Sequence, residues 1–229
     1  MKKSAIITLA AVFSALIFAS CGTTKNLAFP KMYEEDPLVM LIMPPINNST
    51  AADAKDYFYT TMSVPVAEAG YYVLPPAMTL ATLQKESAYD SEMFMNGDLK
   101  KFKDMFGADV AIFTVIKSWD KSYIGSTIII EVEYIFKSTK TNEVVFNRDA
   151  TIRCDTSTGV SASGGGLLGA LVVAAADAVK TAVTDYVPVA RSCNNSALSD
   201  LPFGKYHPMH GADGAEGAMG TRVNLSTSR

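Results

Sequence analysis

The 229 residues are 48% hydrophobic and carry 20 Lys and Arg against 23 Asp and Glu, a formal net charge of −3. That is enough apolar content for a packed core and too little positive charge for a nucleic-acid footprint, so nucleic acid is excluded as an expected partner. The length suits one sizeable domain with extensions, not two full domains.

Lys2 and Lys3 precede an apolar run from Ala5 to Ser20, and Phe18-Ala19-Ser20-Cys21-Gly22 places small residues before a cut and a cysteine just after it. An untethered export signal has no need of that cysteine. The pattern is that of a bacterial lipoprotein signal: residues 1–20 are removed, and Cys21 becomes an N-terminus whose thiol and amine carry acyl chains. Phe18 departs from the pattern, standing where Leu is usual. A retained spanning helix is disfavoured, because the run is about 16 residues and a span needs about 20. No polybasic segment follows Cys21, so the lipid supplies the membrane affinity, at about 0.8 kcal/mol for each buried CH₂. Gly22 stands where Asp would mark retention in the inner membrane, which points to the outer membrane; the domain is expected to face the periplasm, with surface display as the alternative.

Residues 21–37 read as a tether. Leu38 to Met43 is a continuous apolar run halted by Pro44-Pro45, the pattern of a strand buried on both faces. Asn47, Asn48, Ser49 and Thr50 then lead into a helix expected from Asp53 to Ala69, with Tyr57, Thr61, Val64 and Glu68 along one side. Pro65 should kink or shorten it, and Gly70 stops it. Tyr71 to Leu74 is a second strand ended by Pro75-Pro76; Met78 to Glu86 and Asp98 to Phe106 are two short helices, the second ended by Gly107.

Val110 to Trp119, Ser126 to Lys137 and Val144 to Ile152 predict an antiparallel meander. In its middle strand Ile128, Ile130, Val132, Tyr134 and Phe136 share one face, with Glu131 and Glu133 opposite. The order of elements predicts an α/β (α+β) domain over residues 38–155, a mixed sheet of about five strands with packed helices. Residues 156–193 read as a Gly-rich hinge and an Ala-rich helix, Leu167 to Tyr186, packed on the domain. Its uncharged part covers about 15 Å, half a bilayer core, so it is not read as a span. Residues 194–229 are polar and Gly-rich and are expected to form a loop and a disordered tail.

Candidate sites are few. With Cys21 lipidated, Cys154 and Cys193 remain, an even pair suited to a disulfide in an oxidising compartment, or else two separate buried thiols. Gly165 and Gly169 have the small-xxx-small spacing of close helix contacts, a possible surface for a homo-oligomer. His207 and His210, the two histidines, are weak candidates for a soft metal, with Pro208 between them forbidding a regular helix. Glu131 and Glu133 could pair for acid–base work but suit a solvated strand face. No Gly-x-Ser-x-Gly elbow, His-Glu-x-x-His or phosphate loop is present, so neither an enzyme nor a cofactor is expected.

Three strings carry a family resemblance: Pro44-Pro45-x-Asn47-x-Ser49, then Pro65-x-Ala67-Glu68-Ala69-Gly70-Tyr71-Tyr72-Val73-x-Pro75, and in the tail Leu201-Pro202-Phe203-Gly204-x-x-His207-Pro208. Over roughly residues 38–210 the chain resembles bacterial lipoproteins of unknown function with a TolB-amino-terminal-like fold, related in fold to the curli-secretion lipoprotein. The resemblance implies a periplasmic α/β domain working beside other envelope lipoproteins in transport or secretion, and it carries over no catalytic residue. Asn142 replaces the Gly usual in that family's hairpin turn, and Asn tolerates positive φ. The combined expectation is a lipid-anchored binding or assembly module. The alternatives are a self-assembling secretion pore or ring, and a small-ligand or metal binder.

Overall fold

A computed structural model describes residues 22–86, 89–122, 127–155 and 186–228. Where a tether was expected, residues 22–37 fold: Lys25–Ala28 (α1) and Pro30–Glu35 (α2) are two short helices. Pro30 begins α2, where its missing N–H has no helical partner to lose. Val39–Ile42 (β1) follows, then Ile46–Asn47 (β2) beyond the proline pair. The expected long helix is split into Ala54–Thr61 (α3) and Ser63–Glu68 (α4). Pro65 has no N–H to offer the Thr61 carbonyl, so the ladder breaks there. Phe58, Met62 and Val66, spaced by four, form its buried stripe, whereas Glu68 of the expected stripe is exposed.

Tyr72–Val73 (β3), Pro76–Lys85 (α5), Ser91–Met95 (α6) and Lys100–Phe106 (α7) come next. Gly107 ends α7 at φ 67, its N–H bonded to the Lys103 carbonyl. The meander is Val110–Ser122 (β4), Thr127–Ser138 (β5) and Val144–Asp155 (β6). In its turn Asn142 sits at φ 62, the left-handed conformation foreseen for it. Tyr186–Ala197 (α8) buries Val189, Ala190, Cys193, Asn194 and Ala197. The chain then runs through a 3₁₀ turn, Asp213–Ala215, into Arg222–Ser228 (β7).

The sheet is mixed, ordered β3-β1-β4-β5-β6-β7, with β2 beside β4. The five expected strands are present, and β2 and β7 extend them to seven. β7 overturns the expectation of a disordered tail: it pairs in parallel with β6 from Arg222 opposite Asp149 to Ser228 opposite Asp155. Gly165, Gly169 and the Ala-rich helix up to residue 185 lie outside the described residues.

One face of the sheet carries the larger core. There Ile128, Ile130, Val132, Tyr134 and Phe136 meet Cys154, Ile152, Ala150, Arg148 and Phe146 across the β5–β6 register, under α1–α4 and α8. On the other face, α6 and α7 with Leu83 of α5 bury Leu41, Met43, Ala111 and Phe113. β1 and the first half of β4 are therefore apolar on both sides, as their continuous hydrophobic runs require. The β5–β6 part of that second face is polar and open, with Glu131 and Arg153 exposed.

Candidate functional site

The segment that follows Cys21 is fastened to the domain almost at once. Ala218 N donates to the Thr23 carbonyl (2.8 Å), Lys25 N donates to the Glu216 carbonyl (2.9 Å), and Thr24 bridges Gly217 as an antiparallel pair. The Lys25 side chain is buried, 2% exposed. Its ammonium donates to Asp213 Oδ2 (3.2 Å) and Glu216 Oε2 (2.9 Å) and lies 4.3 Å above the Phe203 ring. A buried ammonium needs such partners, and Asp213, fully buried, also accepts from Phe203 N (2.9 Å). Burial, then the nearby Asp213 charge, pushes the Tyr33 hydroxyl well above its ordinary pKa.

Beside this junction the two most specific strings of the sequence meet. Gly70 has φ +91, and a Cβ on it would lie 2.4 Å from His207 N; a Cβ on Gly204 would lie 2.6 Å from the Gly70 carbonyl oxygen. That closeness lets Gly204 N donate to the Ala69 carbonyl (2.8 Å) and Tyr206 N to the Gly70 carbonyl (2.9 Å). The Tyr71 hydroxyl donates to the Pro202 carbonyl (2.7 Å). The strings thus encode one backbone seam. Against it opens a cleft of about 250 Å³, lined among others by Tyr33, Asp36, Tyr71, Phe203 and His210.

His207 and His210 are neighbours in this seam but do not converge. The His207 ring stacks on Phe203, with centroids 3.6 Å apart, and its Nδ1 accepts from Met209 N. His210 turns Nδ1 to the Phe203 carbonyl (2.8 Å) and Nε2 to Asp36 (3.4 Å), which also pairs with Lys205 (3.1 Å). Among the described residues no group of three His, Cys, Asp or Glu is arranged to hold a metal. Glu133 is bridged through the Lys117 ammonium to Asp149, both at 3.0 Å. Burial works against the Lys117 charge, but the two carboxylates prevail and hold its pKa above the usual value. Glu131 and Glu133 therefore stand on a solvated, ion-paired strand face.

Cys154 and Cys193 are brought together on the core side of β6 and α8, with their sulfurs 3.9 Å apart as thiols. Both are buried. Pairing with Cys154 and burial together push the Cys193 thiol well up. The next residue, Asn194, accepts from the Tyr134 hydroxyl (2.8 Å) and donates to Thr61 Oγ1 (2.9 Å), tying α8 to β5 and α3. Arg148, fully buried between Phe146 and Ala150, donates to Asp200 (2.5 Å) and to the Gly220 carbonyl; Asp200 accepts in turn from Met219 N (2.6 Å). Neither this pair nor Lys25–Asp213 was singled out from the sequence. Cys21, the lipidation candidate, lies outside the described residues.

A profile of the family described as "Putative lipoprotein GNA1162-like" matches residues 28–203, from the end of α1 to the residue before Gly204. The chain belongs to the GNA1162-like lipoprotein family. A relative from Neisseria meningitidis serogroup B (strain ATCC BAA-335 / MC58), named "Putative lipoprotein NMB1124/NMB1162", is 26% identical over 187 residues, 80% of this chain and 84% of that protein. Among solved structures, lipoprotein GNA1162 from Neisseria meningitidis is 23% identical, with a TM-score of 0.48 over 62% of this chain and 98% of its own. A PelC dodecamer from Paraburkholderia phytofirmans is 12% identical, with a TM-score of 0.38 over 75% of this chain and 91% of its own. For a GNA1162-like lipoprotein the Gly70 string falls within the matched stretch, which stops at Phe203, so Gly204, the 213–218 junction and β7 lie beyond it.

Proposed function

We propose that this GNA1162-like lipoprotein is a non-catalytic binding module, held by acyl chains on Cys21 at the periplasmic face of the outer membrane, that assembles with envelope proteins of a transport or secretion complex. The observation that carries the reading is the lipoprotein signal ending at Cys21 in a chain of a lipoprotein family. Among the described residues no helix is long and apolar enough to cross a membrane, so the lipid is the hold assigned here. The buried polar pairs support binding over catalysis, because Lys25–Asp213, Arg148–Asp200 and Asn194–Tyr134 each join distant chain segments. Confinement to one membrane raises the effective concentration of the module for partners anchored in the same layer.

Two measurements test this. Metabolic labelling with a palmitate analogue should mark the wild type, and Cys21→Ser should lose the label and leave the membrane fraction; an unlabelled wild type ends the reading. Size exclusion with light scattering of the lipidated, detergent-extracted protein should give a monomer or dimer. A large discrete oligomer would replace the tethered module with the self-assembling ring.

A further inference from the structure

We propose that the face formed by α1 and residues 213–218 rests directly on the bilayer that holds the anchor, with Leu27 in the interfacial layer. The inference depends on lipidation at Cys21 and adds to it an orientation. Thr23 is already fixed, its carbonyl bonded to Ala218 N and its neighbour Thr24 paired with Gly217. Only Gly22 lies between Cys21 and Thr23, and the two chain steps reach at most about 7 Å. The headgroup region between hydrocarbon and water is itself about 5–8 Å deep on each side. An acylated Cys21 therefore leaves Thr23 no way to stand clear of the lipid surface. A flexible tether of some 16 residues would instead have let the domain range over about 20–24 Å.

The surface that this leash draws down is suited to the contact. Leu27 is 75% exposed, pointing away from the core, while the Lys25 ammonium beside it is buried between two carboxylates, Asp213 in the interior and Glu216 at the surface. The exposed charge on this face is Glu216, whose side chain is half exposed and paired with Lys25. A single leucine binds weakly by itself; held at the surface by the anchor, it needs only to be near the interface to enter it.

The test uses the lipidated full chain in vesicles whose acyl chains are brominated, with tryptophan as the depth probe. Trp119 is buried, 3% exposed, and supplies a constant background. Leu27→Trp should lose about half of its added emission, as a ring at the hydrocarbon boundary does. Arg153→Trp is the reference: it lies on the opposite face of the sheet, seven residues along β6 from Phe146, about 23 Å away. It should keep its emission. A flexible ten-residue insertion between Gly22 and Thr23 should restore the Leu27→Trp signal. Quenching no greater at Leu27→Trp than at Arg153→Trp overturns the orientation, and quenching that survives the insertion overturns the leash as its cause. A chain whose mass shows no acyl adduct overturns the anchor and the orientation together, so the two failures are told apart.

Discussion

Gly204 has no room for a side chain. A methyl group there would meet the Gly70 carbonyl oxygen at 2.6 Å and the Tyr71 ring at 2.7 Å, so the two segments have to part to admit it. We expect Gly204→Ala to cost about 2–3 kcal/mol, the range of overpacking in a tight site, read as a lower urea midpoint. Gly217→Ala, whose Cβ would meet nothing within 4 Å, should leave the midpoint unchanged. The two cysteines make a second case at this scale. Their sulfurs stand 3.9 Å apart, against about 2.05 Å in a bond. In an oxidising compartment we expect them to join, closing a loop of about 40 residues for roughly 4 kcal/mol in the chain-entropy model. Alkylation of the mature protein, unfolded without reductant, should label neither; labelling of both would sink the pairing. Cysteine count alone suggested the pair. The phase of β6 could have placed Cys154 indoors, since Phe146, Ala150, Ile152 and Cys154 share one side of the strand.

The same phase puts Arg148 in the core, and there the element scale takes over. Arg148 holds Asp200 and the Gly220 carbonyl, and Asp200 holds Met219 N, just ahead of β7. Asp200→Ala strands a buried guanidinium and should cost about 3–5 kcal/mol. Hydrogen exchange should show β7 amides losing protection; β7 protection equal to wild type would show that the strand stands without the clamp. The legible elements were those with a period. β5 and β6 alternate over a dozen residues, β4 opens on a continuous apolar run, and the apolar run of β1 is bounded by prolines. β7 offers only Val223 and Leu225 facing in, within a polar tail, and α1 and α2, at four and six residues, are too short to display a helical repeat. In α8 the buried stripe includes Cys193 and Asn194, so polarity concealed a helix that spacing would have allowed.

For the whole molecule, local signals were easier to read than distant joints. The Cys21 signal and the alternating strands depend on neighbours in the chain, whereas the Lys25–Asp213 and Gly70–Gly204 contacts bring together residues more than a hundred positions apart. The tether was misread for that reason: nothing local in residues 22–37 announces that the partner strand for Thr24 arrives at Gly217. That late arrival has a consequence for biogenesis. Synthesis delivers the chain N-terminus first, yet the opening segment and the edge of the sheet are completed by Gly217, Ala218 and β7. Neither closure can form until those residues have left the ribosome, so the order of the sequence holds this junction and this edge open while the rest of the domain is being made.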